Sequence, residues 1–192
     1  MRHGQTIENA KGIIMGQHGG TLSQKGRHQS AQMATKLKNE SIDQIWSSDL
    51  ARCVETAKFV LKLHPKLKLH TTPALREVNY GKYQGRPSAE IQQYFAQVKV
   101  FVTAKMPGGE SHLSMFKRTI KFINKLYKQF PDQKILILTH TGPIEAIRAS
   151  VQKASKDELF PKDALNAGIW RLDINQPLKV YPKIRKWPFL IN

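Results

Sequence analysis

The chain has 192 residues, a 40% hydrophobic fraction and one cysteine, enough to bury a single layered core but too few thiols for a disulfide framework. No apolar run reaches the roughly 18 residues a membrane-spanning helix needs. The net charge of +17 invites nucleic acid or a membrane surface as partner, yet the lysines lie singly along helical stretches (Lys58, Lys62, Lys66, Lys68; Lys117, Lys121, Lys125, Lys128), a pattern better suited to steering small anions.

Hydrophobic spacing predicts a helix over 23–38, with Ala31, Ala34 and Leu37 on one side, then a short strand over 42–47. Residues 49–64 read as a helix carrying Leu50, Cys53, Val54, Ala57, Val60 and Leu61 at helical spacing, with Ser48 as its expected N-cap. A brief strand at 67–71 precedes 73–87, where turn signals and few apolar residues indicate an ordered surface loop. Residues 88–102 read as a helix. After Pro107-Gly108-Gly109 a long amphipathic helix begins near Ser111 and buries Phe116, Ile120, Ile123 and Tyr127. The continuous apolar run at 134–139 predicts a central parallel strand covered on both faces; a helix over 143–151 and a last strand over 167–174 follow. Strand–helix alternation of this kind argues for an α/β three-layer sandwich around a mostly parallel central sheet. With no repeat or linker in sight, residues 1–192 are taken as one domain, 179–192 being a basic tail.

In open parallel sheets ligands sit beyond the carboxyl ends of the strands. Arg52 follows one predicted strand, Glu77 follows another and His140 ends a third, so the three are expected to meet at one edge. Five segments look like pieces of one phosphate-handling site: Arg2-His3-Gly4-Gln5-Thr6, Ser47-Ser48-Asp49-Leu50-Ala51-Arg52, Leu75-Arg76-Glu77, Pro107-Gly108-Gly109-Glu110-Ser111 and Thr139-His140-Thr141-Gly142. A histidine ring nitrogen can attack phosphorus and form a covalent intermediate, and His3 is the candidate. Arg2 and Arg52 offer planar forks that match phosphate oxygens, which lysine does not. Arg52 also falls in the first turn of its helix, where free N–H groups favour an anion. A protonated His140 would add a cationic donor, and Glu77 is the nearby carboxylate able to protonate a departing alkoxide. Singly, each has a plainer explanation: an incidental terminal histidine, a surface arginine, a Glu77 paired with Arg76, a strand-end His140 bonded to backbone.

Jointly these segments resemble the histidine phosphatase superfamily, in the branch containing cofactor-dependent phosphoglycerate mutases. Arg2-His3-Gly4-Gln5-Thr6 with Asn9 is similar to its nucleophile signature. Ser47 to Arg52 with Thr56-Ala57 resembles its second arginine motif, Leu75-Arg76-Glu77 with Gly81 and Gly85 its acid loop, and Thr139-His140 and Asn166-Ala167-Gly168 its last two motifs. The resemblance implies a phosphohistidine at His3, a phosphate pocket of Arg2, Asn9, Arg52 and His140, and Glu77 as proton donor and then base toward water. It implies no metal and no cofactor. No histidine has the spacing of a ligand set, and no P-loop or dinucleotide fingerprint is present.

The span between Glu77 and His140 is shorter than in the mutases that the chain resembles, so a phosphatase acting on a small phosphorylated substrate is expected in the cytoplasm. A mutase-type phosphotransferase, or a catalytically weak phosphate-binding scaffold, is the alternative. No membrane partner is expected and nucleic acid is not expected as the main partner, its likeliest foothold being the stretch from Lys179 to Trp187; a homodimer stays open.

Three departures from the resemblance stand out. Residues 16–22 replace a commoner Asp-x-Pro-Leu stretch. Thr141 stands where glycine is frequent and is expected to crowd the pocket. The apolar strand that normally leads into the nucleophile is missing from this chain, as though Met1 were internal to a longer protein; a chain starting there is expected to anchor residues 1–8 poorly and to turn over weakly.

Overall fold

The structure is a computed structural model that describes residues 1–98, 101–152 and 168–180. In chain order the elements are α1 (Ile7–Ala10), α2 (Gln24–Leu37), β1 (Gln44–Ser48), α3 (Ala51–Leu63), β2 (Leu69–Thr72), α4 (Ser88–Gln97), α5 (His112–Gln129), β3 (Ile135–Leu138) and α6 (Thr141–Gln152). Two short 3-10 turns, Pro73–Leu75 and Gly81–Tyr83, punctuate the stretch expected to be a plain loop.

The three strands form a parallel sheet in the order β2-β1-β3, with Ile45 opposite Leu69 on one side and Leu136 on the other. Side chains alternate across it as the pleat requires. Leu136 and Leu138 of β3 join Ala34, Leu37, Ile45, Ala57 and Val60 beneath α2 and α3. Ile137 packs against the opposite core, built from Phe95, Met115, Phe116, Ile120, Ile123 and Ile147 of α4, α5 and α6. Each fully buried aliphatic side chain contributes about 1.5–3 kcal/mol. The α/β sandwich read from the sequence is therefore the architecture observed.

No strand leads into His3. The first three residues lie along the free edge of β3 instead, with Arg2 in a single parallel bridge to Thr139. The Met1 amine donates to Ile137 O at 2.7 Å, Thr139 N–H to Met1 O at 2.9 Å and His3 N–H to Thr139 O at 3.2 Å. Met1 is buried and α1 is closed by a capping box between Thr6 and Asn9. Residues 1–8 are thus anchored, contrary to the expectation from sequence.

Other boundaries also shift. Strand β1 runs through Ser48, so α3 starts later with Leu50 at its N-cap and no side-chain cap bond; Ser48 is not the cap. Helix α4 ends at Gln97 because Val98 is extended (φ −96°, ψ 133°). Beyond it Phe101 and Val102 are both buried, in a turn. In the last expected strand, residues 168–174 form no strand, and Ala167 lies outside the described residues. Gly168 accepts from Arg2 N–H at 3.0 Å, so the segment runs beside the chain's first residues without continuing a ladder. Tyr127 is half-buried; Leu126 beside it is the buried residue.

Candidate active site

The connections after β1 and β2 meet the N-terminal segment at one cavity of about 220 Å3, whose walls include Arg2, His3, Asn9, Arg52 and Glu77; His140, expected in the same pocket, is not among its walls. His3 is carried there by the bridge at Arg2 and is 3% exposed. Its Nδ1 donates to Gly4 O at 2.7 Å, which fixes the tautomer and leaves Nε2 unprotonated. Nε2 accepts from Arg52 Nε at 3.3 Å. Burial, reinforced by Arg52 and Arg2, holds the ring well below the usual histidine pKa despite the Gly4 bond. The imidazole is neutral, as a nucleophile must be. Gly4 N–H donates to Thr56 Oγ1 at 3.1 Å, and Gly26 lets α2 approach so closely that a Cβ there would strike the Gln5 backbone.

Arg52 stands in the first turn of α3. Its remaining nitrogens donate to His18 O at 2.8 Å and Gly16 O at 2.6 Å, so the divergent segment 16–22 supplies two carbonyls that orient the fork. Asn9 uses its side-chain oxygen and backbone N–H in the α1 capping box, and no described residue engages its amide nitrogen.

His140 is fully buried behind His3, ring edge to ring face at 5.0 Å and 61°. Its Nε2 meets Ser48 Oγ at 2.9 Å and Cys53 Sγ at 3.4 Å. Burial first, then Arg52, His3 and Arg2, depress its pKa far below the ordinary value, so it is a neutral neighbour of His3, not a third cation. Burial pushes the Cys53 thiol up to about 12, which leaves it inert as a nucleophile.

Glu77 does not pair with Arg76, which forms a two-pronged ion pair with Asp49 at 2.7 and 2.5 Å. The Glu77 carboxylate lies at the start of α6, where Gly142 N–H approaches Oε2 at 3.4 Å and Val78 N–H donates to Oε1 at 3.0 Å. A Cβ on Gly142 would collide with that carboxylate and with Met115. Thr141 opens α6 without a positive φ and is not among the cavity walls.

The sequence reading assigned no role to the group that holds Glu77 from behind. Gln17 Nε2 and an Arg118 terminal nitrogen donate to Glu77 O at 3.0 and 2.8 Å. Both also donate to Glu110 Oε1, at 3.2 and 2.8 Å, which accepts Asn79 N–H at 2.9 Å as well. Glu110 lies in a motif noted from sequence; Gln17 and Arg118 carried no signal. Among the described residues no cluster of histidine, cysteine, aspartate or glutamate is arranged to hold a metal, and no helix is long and apolar enough to cross a membrane.

The profile of the histidine phosphatase superfamily (branch 1) matches residues 1–183. A probable phosphatase of Schizosaccharomyces pombe is 31% identical over 175 residues, 88% of this chain and 79% of that protein. A probable phosphoglycerate mutase of Yersinia pestis is 32% identical over 145 residues, 73% and 67% of the two chains. The solved structure of a mycobacterial glucosyl-3-phosphoglycerate phosphatase superposes with a TM-score of 0.70 at 28% identity, covering 80% of this chain and 78% of that one. With this fold, and with a histidine and two arginines around one cavity, the chain belongs to the histidine phosphatase superfamily. It is a phosphoric monoester hydrolase of that type.

Proposed function

We propose that the chain hydrolyses a small phosphomonoester through a phosphohistidine at His3. Nε2 attacks phosphorus while Arg2 and Arg52, with Asn9, hold the equatorial oxygens and offset their developing charge. Protonated Glu77 gives its proton to the leaving alkoxide, then as carboxylate takes one from the water that attacks the phosphohistidine. Inorganic phosphate leaves and His3 returns to its neutral form. His140, bonded to Ser48, backs the His3 ring, and serves as a phosphate donor if it takes up a proton when the dianion binds.

The observation that carries this proposal is the unprotonated Nε2 of His3, hydrogen-bonded by Arg52 in a cavity that Glu77 also lines. The short span between Glu77 and His140 favours water over an alcohol as acceptor. A mutase-type transfer remains the second reading, supported by relatives that carry that name. The test is a quench with 32P-labelled substrate. The parent should yield an acid-labile phosphoenzyme and release phosphate at the same rate, and His3→Ala should do neither. A phosphoenzyme that discharges only to an added phosphoglycerate would indicate the mutase; parental turnover by His3→Ala would reject both.

A further inference from the structure

The cavity has two chemically distinct ends. Around His3 sit Arg2, Asn9, Arg52 and Glu77. The far end is walled by Ile13, Ile14, Met15, Tyr80, Ile91 and Phe95, and the other described lining residues there are Gly16 and the uncharged Ser88 and Gln92. In a chain of net charge +17, no lysine among the described residues lines this space. The two arginines lie at the phosphate end, and Arg52 is pinned there by Gly16 and His18.

The apolar end is a built wall. Gly85 N–H donates to Ile14 O at 2.7 Å, Ile14 N–H to Arg86 O at 2.9 Å and Ser88 N–H to Gly12 O at 2.8 Å, with Ile13 bridged to Pro87. These bonds lock the loop that carries Ile13, Ile14 and Met15 to the foot of α4. That helix presents Ile91 and Phe95, one turn apart, on the same face, and Phe95 is backed by Phe101 at 4.6 Å between ring centroids. Ile13, Ile14 and Met15 themselves stay only half-covered.

We infer that the substrate is a compact monophosphate of an apolar, uncharged alcohol, of about the size and character of a benzyl group. This inference deepens the phosphatase reading and rests on it. A second anionic group, such as a carboxylate or another phosphate, would be desolvated against isoleucine, methionine and phenylalanine with no cation among the described lining residues to meet it. A sugar would bring more hydroxyls than Ser88, Gln92 and the Tyr80 hydroxyl can satisfy. The cavity also falls below the roughly 300–1,000 Å3 of clefts for drug-sized ligands, which sets an upper limit on the alcohol. Apolar pockets of this kind discriminate about 10–200-fold per methylene-sized difference.

Two measurements separate this inference from the reaction it rests on. The first is binding alone, by calorimetry, of benzylphosphonate against 3-phosphonopropionate, which differ at the far end and cannot be hydrolysed. Benzylphosphonate should bind at least tenfold more tightly; equal affinity, or preference for the carboxylate, overturns the inference whatever the catalytic outcome. The second is kcat/KM for benzyl phosphate against glycerol 3-phosphate and 3-phosphoglycerate, all esters of alkyl alcohols, with benzyl phosphate expected at least tenfold ahead. Met15→Lys, on the half-exposed wall, should narrow both gaps at least tenfold by supplying a cation. An unchanged ratio in a folded variant counts against the assignment of this wall. Failure of the 32P trapping experiment with intact phosphonate selectivity would instead overturn the chemistry and leave the pocket's preference standing.

Discussion

Arg52 is committed before any substrate arrives, with three of its nitrogens held by His3 Nε2, His18 O and Gly16 O. Lysine would keep the charge but lose the fork and both carbonyl anchors. Arg52→Lys should lower kcat/KM by about 10²-fold, the scale of losing one preorganised donor to transition-state charge; steady-state kinetics on a variant whose circular dichroism is unchanged checks it. A second residue, Glu145, is 4% exposed and its Oε1 has no hydrogen-bond partner among the described residues. Burial, then Glu77, push its pKa well above the usual carboxylate value against the pull of Arg2 and Arg148. Because its folded value is raised, the unfolded chain releases this proton at lower pH than the folded one, so Glu145 lowers stability as pH rises above about 4.5. Glu145→Gln should therefore melt at a higher temperature than the parent at pH 7.5, with the gap closing toward pH 4. A gap independent of pH would mean that the carboxyl is ionised in the fold.

At this scale most of the cavity lining around His3 was legible in the sequence. His3, Arg2, Asn9, Arg52 and Glu77, expected from three short segments, all line the cavity, whereas His140 lies behind it. Gln17, Glu110 and Arg118 were not legible in their role, since they act through the backbone carbonyl of Glu77 and such a contact has no spacing of its own. The apolar wall escaped notice for another reason: Ile91 and Phe95 follow the same helical period whether they face a core or a ligand.

At the scale of elements, the loop carrying Glu77 is braced between α5 and α6 as well as by its own short turns. Glu110 links Gln17, Asn79 N–H and Arg118, the last in α5, behind Glu77, and Gly142 in α6 leaves room for its carboxylate. In the mechanism proposed above, both supports serve proton donation to the leaving group, and their loss should be felt most where that proton is needed most. Glu110→Ala and Gly142→Ala should each slow hydrolysis of an alkyl phosphate about tenfold or more, within the 10²–10⁴-fold that general acid catalysis supplies. An aryl phosphate, whose phenolate departs without much help, should slow much less. Equal losses on both substrates would show that these residues support binding, not proton transfer. The long helices α2, α3 and α5 and strand β3 were readable to within a few residues because their periodicity outlasts local ambiguity. The end of α4 and the segment 168–174 were not, because burial of Phe101 with Val102 and the single bond from Arg2 to Gly168 are tertiary facts.

At the scale of the whole molecule, three histidines are buried in uncharged form: His3, His112 and His140. His112 sits among Tyr80, Phe95 and Phe101, and burial lowers its pKa to about 3; His3 and His140 are also lowered far below 6.5, by burial and then by Arg52. In the unfolded chain all three protonate as pH falls through about 6.5. From there down to the folded values the unfolded state binds more protons, so stability falls as the solution is acidified and is fully present only above about pH 6.5. Each such proton steepens the dependence by about 1.4 kcal/mol per pH unit, and above pH 4.5 Glu145 opposes with the slope of a single proton. Three against one leaves a net loss. Urea unfolding midpoints should accordingly drop steadily from pH 6.5 to 5, before exposed carboxylates begin to titrate. His112→Phe, which leaves His3 and His140 in place, should make that drop shallower without abolishing it. A midpoint that stays level from pH 6.5 to 5 would show that the histidines are charged within the fold, and His3 would then lack the lone pair on which the proposed attack depends.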